Sequence, residues 1–368
     1  MEIVAPIRNF LQPRWIIPAL VVVLVGGYWV LRPRPPIQPD AFVSERSATV
    51  WSSLAQVRQP LATLRYGEPV YFLERRGTNV RVRTSAHMEG WVAADRLMEA
   101  ALWQRGKKLI ADAARMPVQA VGRTKAPSNV RLEPGRTSPR SIQLNRNVYV
   151  EVLARAVADA PAAEEKPTAA ESSRTSQPVE QAGPRREDWL LVRAQVLPAA
   201  DPLAAAGPNA PAGPPVAVVG WVRGQFVALD LPEPVRDYAS SSGLRVTAFF
   251  ELNRVPDSLG EKPQYLAVGT RGGEGQTCDF TLLRVYTWGT IRQRYETAYL
   301  ESDFCGFFPV RVSSAPNGDP EFRFKAGYKI QPGFHGPVYN LGKEERLYRM
   351  RQTVVRRIRD ERRPLPNR

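Results

Sequence analysis

Few residues of this chain are able to do covalent chemistry, and apart from His87 they lie in one region. Of 368 residues only two are Cys and two are His. Cys305 stands in the run Asp303-Phe304-Cys305-Gly306-Phe307, and His335 follows in His335-Gly336-Pro337-Val338-Tyr339. A cysteine with a histidine within reach makes a thiolate nucleophile, because the imidazole takes the thiol proton. The second use of Cys305 is a cross-link to Cys278, which lies 27 residues upstream. In an exported chain, two cysteines at strand ends of one domain are expected to pair. Closing a loop of that length stabilises a fold by about 3 kcal/mol in the chain-entropy model. The disulfide is the favoured reading. A nucleophile, with Cys305 and His335 as catalytic residues, is the alternative.

Other chemistry is sparse. No Walker loop, dinucleotide fingerprint or paired-carboxylate motif is present, and Gly272-Gly273-Glu274-Gly275 reads as a turn because no helix follows it. Two Cys and two His are too few for a multi-ligand metal site, so neither metal nor cofactor is expected. The net charge of +15 instead favours an anionic partner: nucleic acid, lipid headgroups or an acidic wall polymer. Six aromatic residues are candidates for a ligand groove: Trp51, Tyr71, Trp91, Tyr149, Trp189 and Trp221. Filling a small core is the competing role for each of them.

The elements that must position these residues come in two copies. A shift of 80 residues carries Thr49-Val50 onto Asn129-Val130, Leu64 onto Leu144, Val70 onto Val150 and Phe72-Leu73 onto Val152-Leu153. Further on, Asn79-Val80-Arg81-Val82-Arg83 matches Trp189-Leu190-Leu191-Val192-Arg193, and both copies close on Gly-Trp-Val, at 90–92 and 220–222. Such self-similarity marks a repeated structural unit. Asn129-Val130-Arg131, the Trp189 strand and the closing Gly-Trp-Val resemble the bacterial SH3 domain family; Asn79 departs from the family's Trp. The resemblance implies two small SH3-like β-barrels of a kind common in cell-envelope proteins. Domains of this family often accompany papain-like wall peptidases, whose nucleophile lies in an Asp-Cys-Ser-Gly context. Here Phe304 separates Asp303 from Cys305, and no Ser follows.

Around the repeats, composition sets the expected organisation. Residues 1–14 read as a cytoplasmic N-terminus. Residues 15–31 carry no charge and are flanked by Trp15 and Tyr28-Trp29, which predicts an uncleaved transmembrane signal anchor. Residues 32–40 form a Pro-rich linker. The first SH3-like domain is expected over 41–98 and a connecting helix with Asp95 as N-cap over 99–117. The second SH3-like domain is expected over 118–238, with disordered insertions at 154–188 and 197–215 that are poor in large apolar residues. Strand candidates at 244–252, 265–269, 280–288, 297–300, 307–312 and 321–324 predict a C-terminal antiparallel β-domain over 244–340, sandwich-like. The basic tail 341–368 holds ten Lys/Arg and four Asp/Glu, hence +6. Its Leu347, Met350, Val354 and Ile358 share a face at helical spacing, which predicts a terminal helix over 343–363 able to touch anionic lipid or polymer.

The expected fold class is therefore mainly β: an N-terminal transmembrane helix, two barrels, a sandwich-like domain and a terminal helix. The expected protein is a non-catalytic, single-pass protein of the inner membrane. Its bulk lies in the periplasm and binds peptidoglycan or an envelope protein. The alternatives are a cell-wall cysteine peptidase and, from charge alone, a nucleic-acid-binding protein, which is not favoured.

Overall fold

The computed structural model of the chain describes residues 38–161, 185–197, 214–258, 260–333 and 336–358, with the backbone alone over 328–343. The expected cytoplasmic N-terminus, the membrane span 15–31, most of the Pro-rich linker, His335 and residues 359–368 lie outside the described residues. Among the described residues no helix is long and apolar enough to cross a membrane. From Asp40 onward the chain forms one compact unit, mainly β, with three antiparallel sheets of seven strands.

The first sheet contains β1 (Ala41–Val43), β2 (Ser47–Trp51), β3 (Pro60–Arg65), β4 (Pro69–Arg76), β5 (Asn79–Thr84), β6 (Glu89–Ala93) and β7 (Leu97–Glu99). Its order is β3-β2-β6-β5-β4-β1-β7. A helix, α1 (Ala100–Ala113), follows. Asp95 does not cap it but sits in a 3-10 turn, and the N-cap position is Glu99. The second sheet contains β8 (Ala120–Thr124), β9 (Ser128–Arg131), β10 (Arg140–Leu144), β11 (Tyr149–Asp159), β12 (Arg186–Val196), β13 (Val216–Arg223) and β14 (Val227–Leu229). Its order, β10-β9-β13-β12-β11-β8-β14, reproduces the first strand for strand. Neither sheet closes into a barrel by hydrogen bonds: β3 and β7, and β10 and β14, remain edges.

The duplication extends to individual atoms. Val50, Leu64, Val70, Val82 and Val92 are buried in one core, and their counterparts Val130, Leu144, Val150, Val192 and Val222 in the other. Gly67 and Asn147 take the same left-handed turn conformation, at φ 83° and 63°. Each donates its N–H to the matching carbonyl, Val43 at 2.9 Å and Thr124 at 2.7 Å. The bulge in β4 between Phe72 and Glu74 recurs in β11 between Val152 and Ala154. The Gly-Trp-Val signature also has a steric cause. A Cβ on Gly90 would lie 2.5 Å from Val50 Cγ1 and 2.7 Å from the Trp51 carbonyl, and Gly220 faces Val130 and Arg131 in the same way. Such contacts leave no room for a side chain.

The copies differ at one hairpin. In the first, β4 and β5 meet at a two-residue turn through Gly77. In the second, β11 and β12 stay paired as far as Asp159 with Arg186. Strand therefore reaches into both ends of the stretch expected to be a disordered insertion. Its Ala-rich arm lacks large apolar residues of its own but pairs with Trp189, Leu190 and Leu191. Residues 162–184 and 198–213 lie outside the described residues.

A second helix, α2 (Glu233–Ser242), leads to the third sheet: β15 (Arg245–Val255), β16 (Lys262–Thr270), β17 (Phe280–Gly289), β18 (Arg294–Ser314), β19 (Pro320–Gly333), β20 (Gly336–Arg351) and β21 (Val354–Ile358). These strands pair in chain order as one meander, not as two separate sheets. The long β18 absorbs two of the expected strands. Its register with β19 shifts between Phe307 and Arg311, beside a cis Phe308–Pro309 bond. The two halves of the meander face each other across one core, which holds Ala248 of β15 together with Tyr348, Met350 and Val355 of β20 and β21. The expected terminal helix is a β-hairpin. Arg346, Tyr348 and Met350 are buried at alternate positions, Gln352 turns the chain at φ 55°, and Leu347 pairs with Ile358. Of the four residues in the expected helical stripe only Met350 faces the core, while Leu347 is half-buried and Val354 and Ile358 are exposed, because a strand buries alternate residues on the one side where the core lies.

Candidate functional site

Each helix packs on the module that follows it. Leu109, Ile110 and Ala113 of α1 cover the outer face of the second sheet over Leu153, Leu191, Val219 and Trp221. Val235 and Ala239 of α2 do the same on the third sheet over Ala267, Leu282 and Tyr286. In addition α1 reaches back to the first sheet through Trp103, which stacks on Phe42 at 4.9 Å and meets Tyr66 edge-on at 5.3 Å. The first sheet's outer face carries Leu73, Arg81, Glu89 and Trp91 where the second has Leu153, Leu191, Val219 and Trp221. Arg81 and Arg83 pair with Glu89 at 3.0 and 2.9 Å. Arg83 beside Glu89 holds that carboxyl below the usual carboxylate range. An ion pair in place of Leu and Val makes this face a wet one.

The aromatic candidates differ in accessibility. Trp189 is buried, Trp221 lies under α1, and Trp91 is buried with Arg76 over its ring at 5.5 Å. Tyr71 is half-buried on β4 and lines none of the clefts described here. Tyr149 is exposed and lines a small cleft of about 230 Å³ with Arg46 and Leu197. Trp51 lines a cleft of about 350 Å³ with Ser47, Thr49, Arg58 and Arg96, and Arg58 stacks on its ring at 4.3 Å. The six candidates thus do not converge on one groove. The chain that follows Trp51, however, exposes apolar side chains. Leu54, Val57 and Leu61 are exposed, as are Phe72, Leu73 and Met88 elsewhere on the first sheet. Those six are half of the twelve large apolar side chains exposed among the described residues, on the smallest of the three modules. The loop that carries Leu54 and Val57 is closed at its base by Ser52 N–H to Gln59 O at 3.0 Å, and Gln59 N–H returns to Ser52 Oγ at 3.1 Å. The same backbone closure recurs in the second repeat, from Leu132 to Pro139, where Leu132 is buried.

The cysteines form the expected disulfide, Cys278–Cys305, with both residues buried. Cys305 lies in the middle of β18, and its sulfur carries no ionisable proton. Around Cys278 the second and third modules are joined by a buried ionic hub that the sequence pattern did not reveal. Asp188 of β12 accepts from Arg155 at 2.5 Å, from Arg245 at 2.7 Å and from the Gly275 N–H at 2.9 Å. Arg155 also donates to the carbonyls of Gln276 at 2.8 Å and Cys278 at 3.2 Å, and to Asp279 at 3.1 Å. Burial alone would raise the Asp188 carboxyl, but hydrogen bonds from Arg155, Arg245 and Gly275 outweigh it and hold the group below its ordinary value. Asp279 ends the other way: burial pushes it up further than the Phe308 N–H and Arg155 pull it down. Beside the hub, Glu187 is clasped by Arg136 and by Arg223 at 2.7 Å, and Arg136 holds its carboxyl low. Gln119 completes the junction. Its Oε1 accepts the Val310 N–H at 2.8 Å, and its Nε2 donates to the Val310 carbonyl at 3.3 Å. Among the described residues no cluster of His, Cys, Asp and Glu could hold a metal ion.

No family model matches the chain, and no curated protein matches it. A solved structure described as an NlpC/P60 family protein from Bacillus cereus aligns over 83% of this chain and 93% of its own. Identity is 11% and the TM-score 0.19, which does not establish a shared fold.

Proposed function

We propose that this is a non-catalytic binding protein of the cell envelope, whose first repeat is the binding module and whose second repeat and third sheet are its rigid support. The observation that carries this reading is the asymmetry between two repeats of identical topology. The second spends its outer face on α1, whereas the first leaves six large apolar side chains and the Trp51–Arg58 cleft uncovered. Aromatic, apolar and cationic groups together suit an anionic polymer with apolar faces, such as peptidoglycan, or an envelope protein. The shared strand order supports the SH3-like reading of both modules, and the buried disulfide supports an oxidising compartment. A membrane anchor at 15–31 and a periplasmic location complete the proposal, and the basic tail supplies a contact with anionic lipid or polymer. A cysteine peptidase would require Cys305 as a free thiolate, and nucleic-acid binding rests on charge alone.

The test is co-sedimentation of the protein from Ala41 onward with purified sacculi. Trp51→Ala and Val57→Ser should each weaken retention about tenfold, the loss that one hot-spot contact produces, while Tyr149→Ala should not. Unchanged retention of both first-repeat variants would overturn the assignment to that module.

A further inference from the structure

A third cleft, of about 480 Å³, opens between the second sheet, α2 and the third sheet, away from the surface assigned above. Its floor is the hub: Arg155, Asp188 and Arg245 all line it. Its walls include Leu190, Leu229, Leu231 and Phe308, which are only half-buried, so apolar surface is left uncovered inside a concave space. At the rim stand the exposed Lys125 and Arg236. Arg236 donates to the Leu231 carbonyl at 2.9 Å, and neither cation forms an ion pair among the described residues. The acids on the same lining are Asp188 and Glu274. Asp188 is already matched by two arginines, and only Glu274 opposes the rim cations. The lining thus combines a positive rim, an apolar wall and a volume within the usual range for small-molecule sites.

From this arrangement we propose that the junction cleft binds a small amphiphilic anion, with its carboxylate or phosphate on Lys125 and Arg236 and its apolar body against Leu190, Leu229 and Phe308. The charge sets the head and the half-covered wall sets the tail. A purely polar anion would leave the wall wet, and an uncharged amphiphile would leave the two cations unused. The floor sets the depth, because Arg155 is committed to Asp188 and Asp279 and does not leave them for a ligand. Because α2, the second sheet and the third sheet all contribute, an occupant would brace the same junction that the hub and Gln119 hold.

The experiment uses the disulfide-intact chain and four probes followed by calorimetry and thermal shift: decanoate, decanol, acetate and decyltrimethylammonium. Decanoate should bind saturably, one molecule per chain, and raise the melting temperature, while acetate and the cationic amphiphile should not. Lys125→Gln and Arg236→Gln should each weaken decanoate binding about tenfold, the effect of losing one charge-assisted contact, and leave the weaker binding of decanol unchanged. Ser240→Trp, on the exposed face of α2 at the cleft, should block both amphiphiles by filling the space. Displacement of bound decanoate by phosphatidylglycerol vesicles would assign a lipid headgroup, and retention a free amphiphile. Either outcome, following saturable decanoate binding, supports the site. Equal affinity for decanol and decanoate, no saturable binding, or indifference to both charge substitutions would overturn it. Sacculus retention by the same variants should be unchanged, so failure of this site is distinguishable from failure of the first-repeat reading.

Discussion

Replacing Asp188 by Asn removes one charge from the most buried ionic cluster while keeping the side chain's shape. The carboxylate serves three donors, and Asn can still accept one of them, the Gly275 N–H. What is lost is the charge that answers Arg155 and Arg245. The Arg155 side chain is only 2% exposed, so its guanidinium has no water to fall back on. Removing one partner of such a pair typically costs about 3–5 kcal/mol, much of it from stranding the other charge. Asp279 still touches Arg155 at 3.1 Å, which places the expected loss near the lower end, at about 3 kcal/mol. The Arg245 side chain is 39% exposed, so its share is discounted for solvent screening. At roughly 1.5 °C per kcal/mol for a cooperative unit of this size, the melting temperature should fall by about 4–5 °C. The sign with pH follows. Asp188 titrates lower in the folded protein than unfolded, so its stabilisation is fully present above the unfolded carboxylate value of about 3.9. It is lost as pH falls through the folded value. Asp279, raised by burial, works in the opposite sense. The difference between wild type and Asp188→Asn isolates the first from the second. Equilibrium urea unfolding at pH 7 and at pH 3 measures both. A loss below about 1 kcal/mol at pH 7, or a gap that fails to narrow at pH 3, would refute the hub as a determinant of stability.

Three further outcomes follow from the geometry. In the oxidised protein neither Cys278 nor Cys305 should react with an alkylating reagent, and Cys278→Ser and Cys305→Ser should lower stability alike, by about 3 kcal/mol. One rapidly alkylated Cys305 would promote the peptidase alternative. Gly90→Ala should destabilise the first module by about 1–3 kcal/mol, because the new Cβ would meet Val50 and the Trp51 carbonyl; unchanged chemical denaturation would contradict the close approach. Glu301 accepts from Tyr299 at 2.8 Å, Tyr348 at 2.9 Å and Arg346 at 3.0 Å. Tyr299 is pushed up to about 12, by burial first and Glu301 second, so Glu301→Gln should lower the phenol's pKa in a spectrophotometric titration.

The sequence determined this protein's β class and its duplication, because both rest on local rules. Alternation of apolar residues fixes which side of a strand is buried, and so Val82 and Val192 were legible as equivalents before their cores were known. Gly90 and Gly220 were legible as a motif, but only tertiary structure gives the reason, the approach of β2 and β9. The cysteine pairing was readable from there being only two cysteines, both placed in one predicted domain. What the sequence left open depends on neighbours distant in the chain. The hairpin of β20 and β21 has apolar residues at positions that also fit a helix, and the long partner strand β19 decides between them. The Ala-rich arm of β11 lacks a hydrophobic signature because its partner β12 supplies the bulk. Asp188 and Arg155 looked like members of a polar insertion, yet they meet Arg245, Gly275 and Asp279 from the third sheet across a gap of many residues. Aromatic type alone did not rank the candidate ligand residues. Trp51 and Trp221 are alike in chemistry, yet Trp221 lies under α1 while Trp51 lines a cleft.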